Sequence, residues 1–159
     1  VEDRRRRIEE LVGPVVALQG VDLVEVALGG GRRRAVVRVV VHSEAGVTHA
    51  DCVRVTRAVG RALEDAAEVP GSYLLEVSSP GLDRVLKRPR EFDLFRGRRV
   101  AVRLVDAPAE VTGRASGSRG EAVALACDDG GEEVLPWSRV ASARLLPGAN
   151  EPGSRRTGR

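Results

Sequence analysis

An α+β protein built of two modules is the fold class expected from this chain, and three observations lead there. Over the first half, two segments with apolar residues at helical spacing flank β-branched runs, in the order α-β-β-α-β. Over the second half, short β-rich runs alternate with glycine clusters, the pattern of a small barrel. Charge changes where the halves meet: residues 1–86 hold 12 basic and 13 acidic groups, whereas residues 87–159 hold 14 basic and 10 acidic. The expected division is therefore an α/β domain over 1–84, a linker at 85–88, a barrel over 89–147 and a disordered tail at 148–159.

Each element has its own local cause. Ile8, Leu11, Val12, Val15 and Leu18 step by three and four, which predicts a helix over 4–18 that bends or breaks near Gly13-Pro14. Its basic first turn, Arg4 to Arg7, opposes the helix dipole, and Glu2 and Asp3 offset this in part. The runs 21–28 and 34–42 are joined by Gly29-Gly30-Gly31-Arg32-Arg33, a hairpin signal. Thr48-x-x-Asp51 resembles a capping box, and Cys52, Val55, Val59, Leu63 and Ala66 then share one helical face up to Pro70-Gly71. Residues 72–78 alternate as a third strand and stop at the turn Ser78-Ser79-Pro80-Gly81. Helices on one face of a small mixed sheet follow from this order. Beyond Lys87, Pro89 to Phe95 reads as a short helix with Phe92 and Phe95 one turn apart. Strands are expected at 98–105, 110–115, 122–127, 132–135 and 142–145, with turns at 117–120 and 128–131.

Composition excludes several functions. The 159 residues carry 31% charged and 42% hydrophobic side chains, enough for packed cores, and a formal net charge of only +3. No run approaches the length of a membrane span, and no leader pattern is visible, so a cytoplasmic chain without membrane attachment is expected. Cys52 and Cys127 stand 75 positions apart without a C-x-x-C, and are expected reduced and buried. With His42 and His49 as the only histidines, a metal site lacks ligands, and no cofactor is expected. Neither a phosphate-binding G-x-x-x-x-G-K nor a G-x-S-x-G motif occurs, and Ser79, His42 and His49 sit in no catalytic pattern, so no enzyme is predicted.

Binding chemistry remains. Only four aromatics are present, too few for a base-stacking platform. The α-β-β-α-β order matches one class of small RNA-binding domain, but that class clamps RNA with a G-x-x-G loop, and none occurs in the first half. Arg32, Arg33 and Arg34 at the hairpin tip, with Lys87 and Arg88 near the boundary, are candidate contacts for nucleic-acid phosphates. The alternative for the hairpin arginines is a solubilising tip that blocks edge pairing. Asp83 and Arg84 beside the turn carry opposite charges that either fix an interdomain angle or remain solvated.

Leu-Glu-Val-Ser-Ser-Pro-Gly-Leu-Asp-Arg, residues 75–84, resembles the hallmark of the ribosome maturation factor RimP family. So do the passage from His42 through Gly46-Val47 to Asp51-Cys52, the run Phe92-x-x-Phe95-x-Gly97-x-x-Val100, and Leu135-Pro-Trp137-Ser-x-Val140 followed by Ala143-Arg-Leu-Leu-Pro147. Two positions depart from the pattern: His42 stands where Asp is usual, and Val85 where Pro is usual. The resemblance implies a KH type II-like first domain and an SH3-like or Sm-like barrel as the second. It implies a monomeric, non-catalytic bacterial factor that binds the immature 30S subunit and assists its assembly. The partners implied are that subunit and one of its proteins near the decoding centre, contacted chiefly through the barrel; 16S rRNA is left open as a further contact. A basic ribosomal protein favours acidic ground, and Asp128, Asp129, Glu132 and Glu133, with Trp137 and Arg139, are the candidate partner-binding residues. Ser78, Ser79, Pro80, Gly81, Asp83 and Arg84 are the candidate interdomain turn. The competing reading is a general RNA-binding translational regulator that uses the arginine clusters.

Overall fold

A computed structural model describes residues 1–80 and 84–146. The chain is α+β and divides into two compact units, Val1–Pro80 and Gly81–Arg159. The tail expected at 148–159 lies outside the described residues, as do Gly81, Leu82 and Asp83 of the turn.

The first unit opens with helix α1, Glu2–Leu18, which runs through Pro14 without interruption. The break expected at Gly13-Pro14 does not occur. Pro14 sits on the exposed side, while Ile8, Val12 and Val16 form a continuous buried stripe on both sides of it. Packing of that stripe holds the helix across the one missing N–H. Two of the four arginines of the first turn are engaged within the unit: Arg5 bridges Glu2 and Glu9, at 3.0 Å from its Nε and 2.5 Å from its Nη1, and Arg7 reaches Glu68 at 3.4 Å.

Strands β1 (Asp22–Gly30) and β2 (Ala35–His42) form the expected hairpin, antiparallel, with an irregularity between Leu23 and Glu25. Gly30 turns it with φ +102°, where any Cβ would strike the Arg34 carbonyl, so the reversal needs glycine here. Helix α2, His49–Ala66, starts on the capping box: the Asp51 amide donates to Thr48 Oγ1 at 3.1 Å, and the Thr48 amide to Asp51 Oδ2 at 2.8 Å. The Thr48 bonds first, then Arg54, hold the Asp51 carboxyl below its ordinary pKa. Of its expected apolar face, Val55, Val59 and Leu63 are buried, Cys52 is half-buried and Ala66 exposed. Strand β3 (Tyr73–Ser78) returns parallel to β2, giving the order β1-β2-β3. The core lies between the sheet and the two helices, where Val26, Val37, Val39 and Val41 meet Ile8, Val12, Val16, Val55, Val59 and Leu63.

Among its described residues the second unit is a six-stranded antiparallel sheet with a short α-helix, α3 (Glu91–Leu94). Its strands are β4 (Val85–Leu86), β5 (Arg99–Leu104), β6 (Glu110–Arg119), β7 (Ala122–Ala126), β8 (Glu132–Pro136) and β9 (Val140–Leu145), in the order β4-β9-β5-β6-β7-β8. Among the described residues the strand ladder does not close, because β4 and β8 are both edges. The barrel expected from sequence is thus corrected to an open sheet. Val85 and Leu86, read from sequence as linker, pair instead with Arg144 and Ala143 of β9. Strand β6 runs past its expected end at Ala115 because a bulge at Gly117 (φ +99°) absorbs the glycine within the strand. Asp93 of α3 clasps that bulge, accepting from the Ser118 amide at 2.8 Å and the Ser118 hydroxyl at 2.5 Å. Burial opposes ionisation of Asp93, but the two Ser118 bonds and the charge of Arg96 together outweigh it and hold the carboxyl below its usual range. The clasp is therefore complete above the ordinary carboxylate pKa and is lost as pH falls through the lowered folded value.

Candidate binding surfaces

Arg84 ends the ten-residue motif, and the structure shows what it holds. Its Nε donates to Glu91 Oε1 at 2.8 Å and its Nη2 lies 2.6 Å from the same oxygen. The other carboxylate oxygen accepts the amides of Lys87 and Arg88, at 2.5 and 3.0 Å. The Glu91 side chain is 1% exposed and that of Arg84 10%. The Arg84 carbonyl takes the amide of Leu145 at the end of β9. One buried carboxylate therefore ties the start of the second unit to the loop that carries Lys87 and Arg88. Sequence reasoning set Arg84 beside Asp83, which lies outside the described residues, and missed Glu91. Between Arg90 and Phe92, Glu91 has the look of an ordinary solvated charge; the one available signal was its place in the short helix directly after the motif.

The hairpin joining β7 and β8 carries the candidate acidic residues. Asp128 pairs with Arg99 at 3.1 Å, Glu132 pairs with Arg119, and Asp129 Oδ1 takes the Gly131 amide at 2.8 Å to shape the turn. All four acidic side chains, Glu133 included, are exposed. Two of the four are thus matched by arginines of β5 and β6, yet the local field stays negative. Burial first, then Asp129, Glu133 and Asp128, push the Cys127 thiol above its ordinary pKa. Cys127 is half-buried, not fully buried as expected, and so is Cys52. Cys127 should accordingly react more slowly with iodoacetamide at pH 8 than a model thiol, and Asp129→Asn should speed it. Equal rates in the native and D129N proteins would show that the carboxylates do not set the thiol.

Trp137 and Arg139 do not join this patch. They lie past the far end of β8, in a 3-10 turn over Trp137–Arg139. From Glu132 to Trp137 the chain travels five extended residues, about 16 Å. Trp137 meets Phe92 edge-on, with ring centroids 6.2 Å apart, and Arg139 pairs with Asp106 at 3.1 Å. Both have structural partners within the unit. A contiguous sequence segment became two surfaces because a strand carries its ends apart.

Arg32, Arg33 and Arg34 all sit exposed on the tip of the β1–β2 hairpin. Lys87 is exposed and Arg88 half-buried on the loop that Glu91 organises. Ser78 closes β3, and Ser79 and Pro80 follow without regular structure. His42 closes β2 half-buried and His49 opens α2 exposed. Among the described residues no group of three His, Cys, Asp or Glu is placed to hold a metal ion. No described helix is long and apolar enough to cross a membrane.

The class defined by these features is a two-unit α+β protein with an exposed arginine tip on the first unit and an acidic hairpin on the second. Residues 11–83, nearly the whole first unit, match the family model described as the RimP N-terminal domain. This match supports the RimP family, a family of ribosome maturation factors, as Leu75 to Arg84 led one to expect.

Proposed function

We propose that this protein is a non-catalytic maturation factor that binds the immature 30S ribosomal subunit and leaves it once assembly has advanced. On this reading the first unit is KH type II-like. Its α-β-β-α-β order, with β3 parallel to β2, supports that description. The second unit is an SH3-like or Sm-like module that docks on a basic small-subunit ribosomal protein near the decoding centre, with the protein acting as a cytoplasmic monomer and 16S rRNA as a secondary contact. The observation that carries the docking assignment is the cluster of four exposed carboxylates on the β7–β8 hairpin, of which Asp128 and Glu132 have arginine partners. A modest net charge of +3 suits a factor that must dissociate, since many phosphate contacts would make binding tight and strongly salt-dependent.

Reversing Asp129 and Glu133 to lysine tests the assignment. Neither forms a recorded ion pair among the described residues, so the fold should survive. Binding to immature subunits, and to the isolated ribosomal protein, should weaken by tenfold or more. Unchanged affinity for both would remove the hairpin from the interface.

One observation favours the competing RNA-regulator reading: no hydrogen bond or ion pair of the Arg32, Arg33 or Arg34 side chains is recorded among the described residues. Nuclease treatment of the immature particle separates the two readings. Docking on protein survives the treatment, whereas docking on RNA is lost.

A further inference from the structure

The first unit carries a second surface, along β3 and the C-terminal half of α2. Strand β3 is an edge of its sheet, so one row of its backbone N–H and C=O groups has no neighbouring strand within the unit. Its helix-facing side chains are also incompletely covered. Val37, Val39 and Val41 of β2 are fully buried, but Tyr73, Leu75 and Val77 of β3 are only half-buried. Beside them runs an open groove of about 780 Å³ between α2 and β3, lined by Thr56, Gly60, Glu64, Ser72, Tyr73 and Leu75 among others. Gly60 helps to keep it open: α2 presents no side chain there, and a Cβ would meet only Leu75 Cδ2, at 3.8 Å.

The charge of this groove is one-sided. No arginine or lysine lines it. The last turn of α2 contains no basic residue, and Glu64 and Asp65 add full charges to the negative end of the helix dipole. Glu64 stands near enough to Tyr73 that, after burial, its charge helps to hold the phenol pKa up. A phosphate backbone would meet repulsion from Glu64 and the helix end, whereas a cationic side chain would gain from both the carboxylates and the dipole.

We propose that the α2–β3 groove takes an extended peptide segment of another protein, added as a fourth strand beside β3. Alternate aliphatic side chains of that segment cover Leu75 and Val77, and a Lys or Arg lies against Glu64. Main-chain hydrogen bonds supply affinity, while the groove and the carboxylate set the register.

The test uses the full chain and a capped hexapeptide, Lys-Val-Arg-Val-Lys-Val. A control peptide carries N-methyl groups on alternate amides, which keeps charge and side chains but blocks strand pairing. Hydrogen exchange should show new protection at alternate amides within Tyr73–Ser78 with the first peptide and none with the second. Titration calorimetry should give at least a tenfold loss of affinity for Glu64→Lys, an exposed position, and for Gly60→Leu, which fills the groove. Circular dichroism establishes that both variants are folded. Equal binding of the N-methylated peptide would overturn the proposal, as would protection confined to other strands. Protection of β3 by an oligouridylate in place of the peptide, or a concentration-dependent dimer that buries β3, would overturn it too, by assigning the edge to RNA or to a second copy.

Discussion

Glu91→Ala is expected to destabilise the second unit by about 3–5 kcal/mol, the range for removing one partner of a buried ion pair. Four donors converge on this carboxylate: two guanidinium nitrogens of Arg84 and the amides of Lys87 and Arg88. Removing it withdraws the carboxylate from a guanidinium that is 10% exposed and takes the acceptor from two backbone amides. Urea unfolding followed by circular dichroism measures the loss. Glu91→Gln keeps shape and one acceptor oxygen, so it should cost less. A cycle with Arg84→Met separates pairing from packing. If the pair is coupled, Arg84→Met combined with Glu91→Leu should be less harmful than Glu91→Ala alone, since an apolar replacement leaves no buried charge. A Glu91→Ala protein within about 1 kcal/mol of the native one would show that the carboxylate is not the tie described. The consequence for binding is separate. Lys87 and Arg88 would keep their charges but lose the fixed loop that presents them.

Phe92→Ala is expected to cost about 3–5 kcal/mol, as for other fully buried aromatic side chains. Phe92 has no exposed surface, and its ring meets Trp137 edge-on at 6.2 Å. The cavity left behind cannot be filled by α3 sliding inward, because Asp93 is fixed to Ser118 and Glu91 to the 84–88 segment. Trp137 is the sole tryptophan and reports directly. Its emission should shift to the red as its partner disappears, and the unit should melt lower by ten degrees or more on the usual scaling of about 4–8 °C per kcal/mol. An unaltered spectrum together with a native melting temperature would mean that the contact does not order this end of the sheet. Because Trp137 packs against Phe92, its place in the resembling segment 135–140 has a structural explanation that needs no partner.

Local signals served well where the cause of structure is itself local. Thr48 and Asp51 announce the start of α2 because a capping box needs only residues three apart, and the bonds at 3.1 and 2.8 Å are present. The hairpin at Gly29 to Arg34 was legible because a turn with φ +102° at Gly30 demands glycine. Pro14 misled because propensity is a weak prior: a buried stripe on both sides carries α1 through it. Gly117 misled because a glycine inside a bulged strand and a glycine ending a strand look alike in sequence. The acidic hairpin could be read from Asp128, Asp129, Glu132 and Glu133, but its two arginine partners, Arg99 and Arg119, lie on other strands.

From the order of residues alone came the resemblance to a family, the α+β class, the two-part division of charge and the candidate acidic and basic surfaces. Runs, spacings and caps are properties of neighbours along the chain, and a ten-residue motif is specific without any coordinates. Folding decided the rest: that Arg84 faces Glu91, that among the described residues the sheet of the second unit stays open between β4 and β8, that Trp137 and Arg139 stand apart from the acidic turn, and that β3 is an edge of its own sheet beside a groove lined by Glu64. Each depends on strands and side chains distant in sequence meeting at one place, and burial and pairing partners are set only when they do.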